Sequence, residues 1–456
     1  MTASLPPLPA PLGVLFADHL HRLQSRCLPA LAAEGFDSLV VSAGQAAFAF
    51  LDDQTYPYRP NPHFAWWVPH GSAAGSLLHI RPGRRPLLLF HAPRDYWHEP
   101  PSLPREPWVN QFDVIPVSDA QSARAALASS LAESGGGTGA VAFIGEPFDG
   151  RDDCGFTAIN PPRLLVRLHD LRTRKTPWEL HQHRVASHRA ASGHRAAAAA
   201  YRGGASEFDI HLAFLSASGA REIELPYGAI VATGAKAATL HYQHLSRGAP
   251  GPSLLIDAGV QERGYASDVT RTHAAHDGDF AALLARMEDL QQSLCAAVRP
   301  GVDWRDLHQT AHQLLGDVLH DAGITRVESA EAVERGLTRL FLPHGLGHLL
   351  GLQVHDVGGF QSTPDEPATP PPAGHPHLRL TRVLEPGFVV TMEPGLYFID
   401  QLLAQARADE RSDALDWLRI ESLQPCGGIR IEDNLAVTAD GCENLTRAAF
   451  AAVPVP

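Results

Sequence analysis

The stretch SLLIDAGVQERGYASDVTRTH, Ser253 to His273, sets two aspartates into apolar, β-rich runs on either side of a short polar turn. Such a pattern reads as a hairpin. With the turn centred between Glu262 and Arg263, Asp257 and Asp268 are expected to pair directly across the two strands. Opposed side chains have Cβ atoms about 4.5–5.5 Å apart, and like charges there are destabilising. A fold that keeps this ribbon must bring positive charge to it.

Further carboxylates and imidazoles occur in similar surroundings. VVTMEPGLYF places Glu393 at the end of an apolar strand before a Pro-Gly turn, and GGIRIEDN sets Arg430 and Glu432 on one strand face with Ile429 and Ile431 on the other. PHGLGHLLGLQVHDVGG supplies His344, His348 and His355, while Gly345, Gly347 and Gly351 argue against a regular helix and against the H-E-x-x-H zinc arrangement. The residues alone leave open which histidine acts as a ligand. Charge is expensive to bury unless paired or metal-bound. Four carboxylates and one imidazole form an oxygen-rich set suited to Mn, Co or Fe, and also to Zn. Two divalent ions balance the four negative charges, and two ions about 3.5–4 Å apart activate a shared water and polarise a carbonyl. Amide or ester hydrolysis is the expected chemistry.

The 456 residues suggest two domains, placed at 1–165 and 166–456. In the first, FDSLVVSAG, RPLLLFHAP and AVAFIG alternate as strands with the helical LFADHLHRLQ and AQSARAALASSLAE, giving an α/β layered rhythm. SGGGTG, Ser134 to Gly139, reads as a loop, and an Ala-rich helix after Leu171 opens the second domain. Helices are expected at Phe280 to Val298 and Trp304 to Ala322, and an exposed Pro-rich loop at Thr363 to His377. A formal charge of -13 disfavours nucleic acid and anionic membrane as partners. Five scattered cysteines without a C-x-x-C pair fit a reducing compartment, and the N-terminus lacks a signal-peptide pattern. A cytoplasmic location is expected.

LLIDAG-x(7)-SDVTRT, HGLGHLLGLQVHD, TMEPGLYF and GIRIEDN resemble the motifs of the pita-bread metallopeptidases, over roughly Leu171 to Val453. Within that group the chain resembles the bacterial Xaa-Pro dipeptidases, or prolidases, relatives of organophosphorus acid anhydrolase. FLDDQTYPYRPNPHFAWWVP is similar to a segment of both. The resemblance implies an α/β (α+β) chain with a creatinase-like N-terminal domain before the pita-bread domain. It implies that Asp257, Asp268, His348, Glu393 and Glu432 hold two metal ions, most often Mn, and that a hydroxide bridging them cleaves the trans prolyl bond of Xaa-Pro dipeptides. Glu393 would handle its proton, His355, His241 and His344 would serve the substrate side, and Arg430 would orient a ligand carboxylate. Of Arg379 and Arg382 in HLRLTR, the resemblance favours Arg379 for the substrate carboxylate, and Tyr227 would line the small pocket. It further implies a homodimer in which Asp52 or the Trp66-Trp67 pair of one copy closes the site of the other, and side activity on organophosphorus esters or fluoridates. An aminopeptidase P acting on longer peptides is the alternative enzyme. A peptide-binding pseudo-peptidase is the alternative that is no enzyme.

Overall fold

The computed structural model describes residues 10–97, 99, 101, 104–133, 139–148 and 150–454. The expected SGGGTG loop lies outside them except for Gly139. Two compact units are present, one of Pro7–Arg172 with Thr176–Glu179, the other of Thr173–Lys175 with Leu180–Pro456.

The first unit runs α1 (Leu12–Ala33), β1 (Ser38–Ser42), α2 (Pro62–Ala65), β2 (Leu77–Ile80), β3 (Leu87–His91), β4 (Asp113–Val117), α3 (Ala120–Ala132), β5 (Val141–Ile144), β6 (Ala158–Ile159) and α4 (Pro162–Thr173). The sheet order is β4-β3-β2-β1-β5-β6. The pairs β3/β4, β1/β5 and β5/β6 are parallel, and β1/β2 and β2/β3 antiparallel. The three expected strands are β1, β3 and β5, and the expected helices lie in α1 and α3. Asp119 starts α3 by accepting the Ser122 N–H at 2.7 Å. The expected division at 165/166 falls inside α4, a single helix that stays with the first unit up to Arg172. Trp66 and Trp67 are buried in this unit, so neither is free to close a neighbouring site. Asp52 is exposed, on a tip beside exposed Phe48, Phe50 and Leu51.

The second unit opens with α5 (Pro177–Arg202) and α6 (Glu207–Ser218), continues through β7 (Ile230–Thr233), β8 (Ser253–Asp257), β9 (Gln261–Glu262), β10 (Tyr265–Ala266), β11 (Thr270–Ala274), α7 (Asp279–Ala297) and α8 (Trp304–Asp321), and ends with β12 (Val389–Met392), β13 (Gly395–Tyr397), β14 (Gly428–Arg430), β15 (Asp433–Val437) and β16 (Cys442–Asn444) among shorter helices. α7 and α8 match the expected helices to within a residue, and residues 363–377 hold neither helix nor strand. The alanines of α5 prove to be a packing face: Ala186, Ala190, Ala191 and Ala197 are fully buried, and small side chains let the helix approach the hairpin closely. Two buried histidines of α5 then meet backbone carbonyls of the hairpin, His183 that of Ala266 at 2.8 Å and His194 that of Ala258 at 2.9 Å. Among the described residues no helix is long and apolar enough to cross a membrane.

Candidate metal centre

The hairpin forms, with a different register from the one expected. Its turn centres one residue later, on Arg263 and Gly264, both at positive φ of 49° and 89°. Two positive central residues are what a tight two-residue hairpin requires, and Gly264 supplies the second without strain. Asp257 therefore pairs with Thr270, and Asp268 lies diagonally across the ladder. Moving the centre by one residue moves each partner by two, so the two aspartates keep a common face. Between them the ribbon is pinched, because a Cβ at Gly259 would run into the Ser267 carbonyl.

The directly opposed carboxylates are instead Glu393 and Glu432. The pairings Met392 with Asp433 and Gly395 with Arg430 belong to one register, and continuing it sets Glu393 across from Glu432 at the gap between the two ladders. Pro394-Gly395 is thus no turn. It is the point where the strand resumes as β13. Glu432 also bridges to Thr270, its N–H donating to the Thr270 carbonyl at 3.0 Å, which brings this ribbon against the hairpin. Asn434 completes the seam: its side-chain oxygen accepts the Asp268 N–H at 3.0 Å and its amide donates to the Asp268 carbonyl.

His348 arrives from the glycine-rich loop, which lies along β12. The N–H of Leu350 donates to Val389, that of Thr391 to His348, and that of Glu393 to Leu346. A Cβ at Gly347 would strike the Thr391 carbonyl, so the approach needs glycine there. His348 Nδ1 lies 2.9 Å from the Leu349 carbonyl, which can only accept, so Nδ1 carries a proton. Nε2 is left facing Asp268 and Glu393, 3.5 Å from an oxygen of each. One ligand atom from each of Asp268, His348 and Glu432 falls within 4.8 Å of the others.

The electrostatics show how poorly protein charges alone satisfy this cluster. Burial raises the Glu432 carboxyl well above its ordinary range, with Asp268, Glu393 and Asp257 adding to the effect. Burial likewise raises Glu393, to about 7. Asp257 is raised by burial against the pull of Arg430, whose guanidinium lies 2.7 Å from it. For Asp268, burial is outweighed by His348, and its carboxyl sits below the ordinary value. Three buried carboxylates and the partly buried Glu393, with one guanidinium and one imidazole nearby, are a donor set whose excess negative charge divalent cations fit.

The other sequence-predicted residues fall around this cluster. Tyr227 donates its hydroxyl to Asp257 at 2.7 Å. His344 has one ring nitrogen 2.8 Å from the Tyr397 hydroxyl and the other 3.9 Å from Glu393. The His355 ring contacts the His348 ring at 4.4 Å and is exposed, as is His241. Arg379 is exposed and close enough to His355 to help hold that ring neutral, after burial and His348. Arg382 is buried, bonded to the carbonyls of Gly358 and Ser362 and to Glu385. Sequence reasoning passed over Tyr397, Thr270 and Asn434. Tyr397 meets both His344 and Arg430, and Thr270 donates to Glu432 at 2.7 Å. The alternation of TMEPGLYF was the one available signal for Tyr397.

Comparison with known proteins agrees with this architecture. The family described as Metallopeptidase family M24 matches residues 181–439, and the one described as Xaa-Pro dipeptidase, N-terminal domain, matches residues 14–169. The chain belongs to the M24 metallopeptidases. M24 relatives named Xaa-Pro dipeptidase include that of Stenotrophomonas maltophilia, 46% identical over 443 residues, covering 96% of this chain and 98% of the relative. That of Xanthomonas campestris pv. campestris is 45% identical over 444 residues, covering 97% and 99%. Among solved structures, a histidine-to-alanine variant of Escherichia coli aminopeptidase P superposes with a TM-score of 0.72 at 22% identity, covering 94% of this chain and 97% of that one. A Pseudomonas aeruginosa aminopeptidase gives 0.69 at 22%, covering 96% and 98%. These structures share the fold, and the pita-bread architecture expected from the sequence is the architecture of this M24 chain.

Proposed function

We propose that this chain is a dinuclear-metal Xaa-Pro dipeptidase. The observation that carries the reading is the convergence of Asp257, Asp268, His348, Glu393 and Glu432 in a chain nearly half identical, end to end, to proteins named for that activity. Two divalent ions held by these five side chains, Mn first and Co, Zn or Fe as substitutes, would activate a shared water and polarise the scissile carbonyl.

The chain's own groups supply the rest. Glu393 is the ligand carboxylate with the most accessible neighbourhood, its side chain 19% exposed, and that position suits it to accept a proton and return it to the departing prolyl nitrogen. His355, His241 and His344 line the substrate side, and His355 and His241 can donate hydrogen bonds to the developing oxyanion, whereas the His344 Nδ1 proton is held by the Gly345 carbonyl at 2.8 Å. Arg430 and Tyr227 hold the two oxygens of Asp257 in place. Arg379 takes the dipeptide's free carboxylate, a role closed to Arg382 by its buried bonds.

Turnover of Ala-Pro against Ala-Pro-Ala separates the dipeptidase from an aminopeptidase P, the activity named for the solved structures that share the fold. A preference for the tripeptide would overturn the dipeptidase reading. Arg379→Ala is expected to raise KM for Ala-Pro about 10–100-fold, the worth of one charge-assisted hydrogen bond, and to leave Ala-Pro-Ala nearly unchanged. Equal effects on both peptides would remove Arg379 from carboxylate recognition.

The same reading makes the protein a cytoplasmic homodimer. Five free thiols suit a reducing compartment. Phe50 and Leu51, 88% and 91% exposed beside Asp52, form an apolar tip that a second copy would cover. Phe50→Ser with Leu51→Ser is expected to shift the mass seen by light scattering from dimer toward monomer. An unchanged mass would place the interface elsewhere.

A further inference from the structure

A second group of ligand-type side chains lies outside the carboxylate cluster. His308 and His312 stand one turn apart on α8, both buried, and half-buried His375 meets them from the Pro-rich loop. The ring centroids are 4.7 Å apart for His308 and His312, 4.4 Å for His308 and His375, and 4.6 Å for His312 and His375. One nitrogen from each ring lies within 4.8 Å of the others.

Several other buried histidines carry one unbonded ring nitrogen, but among the described residues His308 is the histidine with both nitrogens buried and unbonded. His312 Nδ1 lies 3.0 Å from the Thr338 hydroxyl, a partner that orients the ring and leaves Nε2 as its other nitrogen. That Nε2 and both nitrogens of His308 are buried without a hydrogen-bond partner. A buried polar atom left unpaired costs about 1–3 kcal/mol, and rings that merely fill space would turn such atoms toward a donor or acceptor. Burial and the neighbouring rings hold His308 and His312 neutral, with the Arg339 guanidinium adding to the effect at His312, and neutral imidazole is the ligating form.

We propose that His308, His312 and His375 form a third metal site, a mononuclear three-imidazole site for zinc or a transition ion of the same borderline class, with its fourth position open to solvent beside His375. Zn–N bonds of about 2.0–2.1 Å need each nitrogen to move by about 1 Å or less. Three neutral nitrogens without a carboxylate favour Zn, Ni or Cu over Mn, Mg or Ca, the reverse of the oxygen-rich cluster. An ion here would fasten the Pro-rich loop to α8. The Leu378 N–H donates to the His375 carbonyl at 3.1 Å, so the fastened turn leads directly into Arg379.

The test is elemental analysis of the full-length protein, stripped of metal, equilibrated with zinc and freed of excess. Wild type is expected to retain one more zinc per chain than His375→Ala, a substitution on a loop that leaves α8 untouched, and His308→Gln is expected to show the same loss. Cobalt loading gives an independent readout: the intense visible absorption of a tetrahedral nitrogen site should appear in wild type and vanish in His375→Ala. The same difference should persist when both proteins also carry Glu432→Gln, which separates this site from whatever the carboxylate cluster holds. Equal zinc in wild type and His375→Ala, with no difference in cobalt absorption, would overturn the proposal.

Discussion

Glu393→Gln is expected to lower kcat on an Xaa-Pro dipeptide by about 10²–10⁴-fold, the usual worth of a general acid–base group. The reason is positional. Glu393 stands opposite Glu432 where the ribbon opens, held beside His348 and Thr391. Glutamine preserves size and one ligand oxygen but can neither accept nor return a proton. Removing one charge from a crowded cluster also relieves repulsion with Glu432 and Asp268, so the melting temperature should not fall. Steady-state kinetics with a thermal melt of the same sample checks both. A kcat within tenfold of wild type would take Glu393 out of proton transfer.

Arg430→Met is expected to act mainly on the ground state. The guanidinium is buried and bonds Asp257 at 2.7 Å, the Tyr397 hydroxyl at 3.0 Å and the Thr270 hydroxyl at 3.2 Å. Breaking a buried pair by deleting one partner costs about 3–5 kcal/mol. Losing a group that orients a ligand costs about 10–100-fold in metal affinity. The metal-free variant should therefore melt well below metal-free wild type, and Mn should widen the gap, because ions that bind only the folded chain stabilise the tighter-binding wild type more. Paired melts with and without Mn, alongside a Mn titration, measure both effects. A variant as stable as wild type without metal would mean that Arg430 does not offset the buried charge of Asp257.

Much of this site was legible in the sequence because each carboxylate sits in an apolar strand context, where an unpaired charge needs an explanation. The hairpin register was not. Nothing in QERGY marks Arg263 as a residue at positive φ, and a centre misplaced by one residue made Asp257 and Asp268 seem directly opposed, whereas Asp257 faces Thr270. Parity rescued the inference, since both aspartates stay on one face. The opposition of Glu393 and Glu432 depends on pairing between segments about forty residues apart, which no local pattern reveals. His183 and His194 on α5 were read only as part of a helix, and their role in holding the Ala266 and Ala258 carbonyls depends on tertiary contact. The aromatic pair Trp66-Trp67 was misjudged for the same reason: its exposure depends on the packing of its own unit, where both rings are core.

The central claim, that five residues of the second unit hold two metal ions that carry peptide hydrolysis, is tested most directly by titrating metal-free protein with Mn while following cleavage of Ala-Pro. Activity is expected to be absent without metal and to rise to a plateau as two ions bind per chain. Asp268→Asn should lose both the binding and the turnover. Full turnover in metal-free protein, or Mn binding and activity unchanged in Asp268→Asn, would contradict the account.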